Sequence, residues 1–272
     1  MATALLHGAD SVEPKRRDFR VRLRYACAVT VCIAATCKQG DKQRIVLCSD
    51  TRLGYGDIGS TNRAVKCDVL GHGWVVQMAG DWSSVCGFCQ IVKDKVHALK
   101  SISFSEMLRE CQRSTQEFMR SPLFAVDRDC QLLISGFDPN PRIVEASILQ
   151  GKPKVELKAS FGSIGWGANV ASTLLSLREH HADMPLPYVA YLAYEAKRTA
   201  EKTGEVGKFT TLMIQSRGSE DYSDRAYLRI MNNLGKAHLE AIYSVLWKVP
   251  FAEVPELTPD FFHNLRAKQS LE

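Results

Sequence analysis

Two apolar runs, at residues 31–36 and 44–49, are separated by the polar, glycine-containing segment Lys38-Gln39-Gly40-Asp41-Lys42-Gln43. Short apolar runs split by such a turn read as a β-hairpin. Neither run alternates: Val31-Cys32-Ile33-Ala34-Ala35 and Ile45-Val46-Leu47-Cys48 are apolar at every position. A strand of that kind needs cover on each side, so the hairpin belongs inside a sheet with apolar layers above and below it. An all-helical chain or a sheet with one wet face cannot accommodate it.

The pattern continues along the chain. A second hairpin pairs residues 64–70 with 74–79 through Gly71-His72-Gly73. Apolar residues at 85, 88, 91, 92 and 96 mark a helix over 83–99, and a Ser103/Glu106 capping box opens another over 104–119. Strands at 130–137, 143–149 and 154–158 follow, divided by Asp138-Pro139-Asn140-Pro141 and Gly151-Lys152-Pro153. Helices at 168–181 and 187–202, strands at 209–215 and 225–231, and a helix at 233–248 complete the order. Strands in consecutive groups imply antiparallel sheets, and helix pairs between the groups imply helical cover. The predicted class is α+β, a four-layer αββα sandwich. Residues 1–29 read as a basic N-terminal extension or propeptide, 30–248 as one domain and 249–272 as an irregular C-terminal tail.

Composition removes several function classes. The 272 residues carry a net charge of +5, but the excess sits in Lys15, Arg16, Arg17, Arg20, Arg22 and Arg24. No basic face interleaved with aromatics appears, which argues against nucleic-acid binding. No apolar run reaches the ~20 residues that span a bilayer, so no membrane helix is expected. The run at 26–37 imitates a secretory signal, but Asp10, Glu13 and Asp18 interrupt the basic stretch and β-branched residues favour a strand. Nine cysteines, an odd number mostly within apolar runs, point to a reducing, cytoplasmic setting. Cys86-Gly87-Phe88-Cys89 has the spacing of a redox motif or half a zinc site, yet it lies in a helical pattern and reads better as two core cysteines. Gly207-Lys208 ends like a phosphate loop, but Lys202 and Phe209 stand where Gly and Ser or Thr are needed.

The remaining chemistry clusters on the two hairpins. Thr30 opens the first strand, Asp50-Thr51-Arg52 closes the second, Lys66 follows Arg52 by fourteen residues and Gly80 follows Lys66 by fourteen. A threonine hydroxyl becomes a nucleophile when an α-amino group beside it takes its proton, which requires cleavage just before it. An ammonium such as Lys66, held by a carboxylate such as Asp50, depresses that amine's proton affinity. Backbone N–H groups at Gly80 suit a developing oxyanion. Read without that chemistry, the same residues are a strand threonine, a surface turn and a solvated lysine.

Four blocks, Thr30-Val31-Cys32-Ile33-Ala34, Val46-Leu47-Cys48-Ser49-Asp50-Thr51-Arg52, Asn62-Arg63-Ala64-Val65-Lys66 and Met78-Ala79-Gly80-Asp81, resemble the opening of the proteasome β-type family in order and nearly in spacing. The likeness is strongest to the bacterial ancestral proteasome-like (Anbu) branch. It continues more weakly through Ile134-Ser135-Gly136-Phe137-Asp138, Ser163-Ile164-Gly165-Trp166-Gly167 and residues 208–214. The resemblance implies an N-terminal-nucleophile hydrolase with the αββα fold: Thr30 as nucleophile, Asp50 and Lys66 as electrostatic partners, Arg52 organising the site and Gly80 as oxyanion donor. It further implies a polypeptide substrate, no metal or cofactor, and self-assembly into rings or open helical stacks; it names no ATPase partner.

The sequence also departs from that family. Val29 stands where a Gly usually precedes the nucleophile, and its β-branch crowds the carbonyl that Thr30 would attack. About four extra residues lie between the first two strands, and counting back from Asp50 without them places Ala34 in the nucleophile position. Trp166 replaces a supporting Ser, either walling a specificity pocket or packing in the core. Lys202 and Glu205 fall near the positions of an Asp and a Ser. Three readings follow: a threonine peptidase freed by removal of residues 1–29, a catalytically silent proteasome-like subunit, and a thiol protein using Cys86 and Cys89.

Overall fold

A computed structural model describes residues 30–54, 60–61, 66–204, 206–217 and 227–228. In it the first hairpin is longer and tighter than the apolar pattern predicts. β1 (Cys32–Gln39) and β2 (Lys42–Asp50) pair antiparallel from Cys32↔Ser49 to Gln39↔Lys42, leaving Gly40 and Asp41 as the turn. Gly40 takes φ +57°, a left-handed conformation open to glycine without a steric cost.

A two-stranded ribbon of β3 (Leu53–Gly54) and β4 (Ser60–Thr61) follows. Then come β5 (Cys67–Gly71), β6 (Trp74–Gly80), α1 (Trp82–His97) and α2 (Phe104–Phe118). The middle of the chain supplies β7 (Cys130–Asp138), β8 (Asn140–Leu149), β9 (Lys152–Lys158) and β10 (Phe161–Ile164). α3 (Ala168–Leu177), α4 (Leu186–Ala200), β11 (Thr210–Ser216) and β12 (Tyr227–Leu228) complete the described elements. Two five-stranded antiparallel sheets result, ordered β10-β1-β2-β11-β12 and β5-β6-β7-β8-β9.

The unalternating runs of the first hairpin now have their explanation. Val31, Ile33, Ala35, Val46 and Cys48 pack with Leu175, Val189, Leu192 and Ala196 of α3 and α4. Their neighbours Cys32, Ala34, Ile45 and Leu47 turn the other way and meet Val75, Ala79, Leu133 and Ile143 of the second sheet. Val76, Met78, Leu132, Ile134 and Val144 of that sheet form a third cluster with Val85, Phe88, Val92, Met107 and Phe118 of α1 and α2.

Local chemistry sets the boundaries. The Ser103/Glu106 capping box forms in full at the start of α2. His72 and Gly73, at φ +51° and +76°, make the two-residue turn between β5 and β6. The expected helix over 168–181 ends at Leu177, because Glu179 adopts φ +53° and the His180 N–H returns to the Leu175 carbonyl at 3.0 Å. The helix over 187–202 ends at Ala200 and tightens into a 3₁₀ turn over Glu201–Thr203. β10 has no counterpart in the sequence reading; four residues, Phe161-Gly162-Ser163-Ile164, are too few to declare a period. Of the strand expected over 225–231, Tyr227–Leu228 pairs with β11. Residues 1–29, the helix at 233–248 and the tail at 249–272 lie outside the described residues. No helix among the described residues is long and apolar enough to cross a membrane.

Candidate active site

β2 delivers Asp50 into the interior, where its carboxylate has no exposed surface and accepts five hydrogen bonds. Oδ1 takes the Thr30 hydroxyl at 2.6 Å, the Val31 N–H at 3.0 Å and the Lys66 ammonium at 2.8 Å. Oδ2 takes the N–H groups of Arg52 and Gly207, each at 3.1 Å. The Lys66 side chain is 1% exposed, so this is a fully buried ion pair whose acceptor oxygens are saturated by donors. A hydroxyl, a carboxylate and an ammonium therefore meet on one oxygen atom.

Strand register explains why Thr30 is the residue that arrives there. With Cys32 opposite Ser49, residues 30 and 31 lie level with Asp50, and the Asp50 N–H reaches the Val31 carbonyl at 3.2 Å. Ala34 pairs with Leu47, three residues before Asp50. The turn of the hairpin, Gly40 and Asp41, lies at the end away from Asp50.

Thr30 is held from the other side by Gly165-Trp166-Gly167. The Gly167 N–H donates to the Thr30 carbonyl at 3.0 Å, and the Gly165 N–H donates to Gln131 Oε1 at 2.7 Å. Gly165 has φ +91°, and a Cβ there would lie 2.5 Å from the Thr30 methyl. Trp166, between the two glycines, is 57% exposed, so the core-packing alternative for this residue does not hold.

Gly80 closes β6 and is followed by Asp81, whose carboxylate caps α1 by accepting from the Ser84 N–H at 3.0 Å and from the Ser83 and Ser84 hydroxyls at 2.7 Å each. Burial works to raise the Asp81 pKa, but these hydrogen bonds hold it below the ordinary carboxylate range. Two residues earlier, Met78 donates its N–H to the Lys66 carbonyl at 2.9 Å and accepts the Cys32 thiol at 3.5 Å. Gly80 thus stands at the strand end beside Lys66, with no hydrogen bond to Thr30 among the described residues. Arg52 reaches Asp50 through its backbone N–H, not its guanidinium.

Three contributors escaped the sequence reading. Gly207 donates to Asp50, and a Cβ at 207 would stand 2.8 Å from Asp50 Oδ2 and 2.4 Å from the Arg52 Cβ. Gln131 fixes Gly165. Lys197 of α4 is buried, paired with Glu201, and close enough to Cys48 and Asp50 to feel their charge; burial lowers its pKa, against the pull of Glu201. A lysine on the core face of an apolar helix was the one readable signal among them. Lys202 is exposed on the 3₁₀ turn, and Glu205 lies outside the described residues. Cys86 and Cys89 both sit on α1; burial raises both thiols, Cys89 to about 12, the reverse of an activated redox thiol.

This geometry can be set beside known structures. The chain aligns with Anbu (ancestral beta-subunit) from Yersinia bercovieri at a TM-score of 0.60 and 16% identity, covering 84% of this chain and 98% of that one. A mutant Anbu from Hyphomicrobium sp. strain MC1 gives 0.61 and 16%, with 84% and 99% covered. The chain has the fold of a proteasome-type subunit. HslV from Trypanosoma brucei shares the proteasome-type fold at a TM-score of 0.54 and 15% identity, over 69% of this chain and 99% of that one. At such identities the likeness is one of fold. No protein-family model matches the sequence, and no curated protein matches it.

Proposed function

We propose that the chain is a threonine-type endopeptidase whose nucleophile, Thr30, is freed by cleavage of the Val29–Thr30 bond. The observation that supports it is the meeting of the Thr30 hydroxyl and the Lys66 ammonium on Asp50 Oδ1, at 2.6 and 2.8 Å. Removal of residues 1–29 gives Thr30 an α-amino group. That amine, through a water, takes the proton from Oγ1 as the oxygen attacks a peptide carbonyl. The positive charge of Lys66 disfavours a protonated amine and so maintains its base form. Negative charge developing on the carbonyl oxygen falls to the Gly80 N–H at the α1 terminus. The tetrahedral species expels the product amine, which carries away the proton, and water then hydrolyses the Thr30 ester. Arg52 and Gly207 keep Asp50 aimed, and Trp166 borders the site. The reaction requires no metal or cofactor.

The same reading takes residues 30–248 as one αββα domain, after an extension at 1–29 and before a tail at 249–272. The alternation of three apolar clusters with two sheets and four helices supports four layers. It includes self-assembly into a ring or helical stack and a cytoplasmic site of action on polypeptides. The test is hydrolysis of fluorogenic peptides by the protein processed to Thr30. Turnover is expected and should vanish in Thr30→Ala; equal rates in the two would end the proposal.

A second reading, a catalytically silent subunit, draws on the Val29 that precedes Thr30 and on Thr30 itself, which has no exposed surface in the uncut chain. A chain that assembles but never processes would match it.

A further inference from the structure

Trp166 is the one aromatic among the large apolar side chains left exposed in the described residues, whereas Trp74 is completely buried. Burial of an indole on folding is a large favourable term, so an exposed one has surface available for another molecule. Its backbone is not free to drift. The Gly167 N–H binds the Thr30 carbonyl, the Gly165 N–H binds Gln131, and the Ala168 N–H returns to the Gly165 carbonyl at 3.1 Å. Side chains at 165 or 167 would collide with Thr30, or with Val206, Ala200 and Val31, at 2.5–3.1 Å, so the loop lies as close to Thr30 as backbone can. Residue 166 is therefore fixed beside the candidate nucleophile and turned to solvent.

We propose that Trp166 selects substrate at the Thr30 site, receiving a large apolar or aromatic side chain that flanks the cleaved bond. The inference rests on the peptidase reading above. Trp166 is one residue from Gly167, whose N–H holds the Thr30 carbonyl, so an exposed indole adjoins the residue that a peptide substrate would have to reach. Asp50 and Lys66 are buried beneath Thr30 and cannot sort substrates by charge, whereas Trp166 is open to them. An aromatic residue with two side-chain torsions on an anchored backbone loses little freedom when it makes such a contact.

Paired peptides that differ only in Phe or Ala beside the scissile bond test this. In Trp166→Ala the Phe-over-Ala preference in kcat/KM falls about 10-fold or more, mainly through KM, and Trp166→Phe keeps most of it. Intact mass confirms that each variant is processed. A preference that persists in Trp166→Ala overturns the proposal and leaves the peptidase reading standing. If that variant also sediments differently from the wild type, Trp166 lies between copies of the chain instead. Binding is read separately with a non-cleavable Phe peptide: it shifts tryptophan emission in the processed protein and not in processed Trp166→Phe. Should the wild type prove inactive, that shift still supports the contact, and its absence overturns it.

Discussion

The strongest constraint on any account of this chain is the Asp50 carboxylate, which lies inside the protein and forms its ion pair with Lys66, with buried Lys197 near enough to feel its charge. Removing the lysine leaves a desolvated anion. Lys66→Met should cost about 3–5 kcal/mol in urea unfolding, and Asp50→Asn/Lys66→Met should recover much of it, since the buried charge then disappears. Equal instability in both would mean that packing, not charge, holds this corner. Thr30 and Asp50 were legible as polar residues at the ends of apolar runs and Lys66 as a lysine in the second hairpin, but it was the family resemblance that joined them into one site. Preferring Thr30 to Ala34 required allowing for about four extra residues in the hairpin, and the pairing of Ala34 with Leu47 agrees with that allowance. Gly207 and Gln131 were invisible, because a backbone amide donor leaves no mark in composition, and Gln131 acts on a glycine 34 positions away.

At the level of elements, glycines with obligatory backbone conformations hold strand ends against helix starts. Gly80 has φ +117°, and a Cβ there would stand 2.1 Å from the Asp129 carbonyl oxygen. That same carbonyl accepts the Asp81 N–H at 2.8 Å. Gly80→Ala should therefore destabilise the protein by more than about 1 kcal/mol in a thermal melt, and a neutral result would remove the case for a fixed β6–α1 junction. Hairpins, the α2 capping box and the order of most elements were readable because turn glycines and caps are local signals. β10 and the early end of α3 were not, since one is fixed by pairing with β1 and the other by the left-handed Glu179.

For the molecule as a whole, His180 links stability to pH. It is buried against Phe161 with Nε2 3.1 Å from the Thr36 carbonyl, while its buried Nδ1 has no hydrogen-bond partner among the described residues. Burial lowers its pKa, with a further push from His181, against the hydrogen bond to Thr36. The unfolded chain takes up this proton first, at about pH 6.5. Its contribution is therefore complete above that pH and declines as the pH falls through the window below it. Melting temperatures measured from pH 8 to 5 should drop on the acid side, and His180→Gln should flatten part of that drop; parallel curves would exclude this residue. The layered arrangement was readable from the absence of alternation in β1 and β2, which requires apolar partners on both faces. The contact between the sheets, made by Ala34 and Leu47 with Leu133 and Ile143, joins residues too distant in sequence for any local pattern to pair.

Everything claimed for Thr30 as a nucleophile depends on its having a free amine. Intact mass with N-terminal sequencing of the purified protein measures that directly. A main species that begins at Thr30 is the predicted result; a chain that keeps Val29 joined to Thr30 after prolonged incubation contradicts the account and leaves a silent subunit of the same fold.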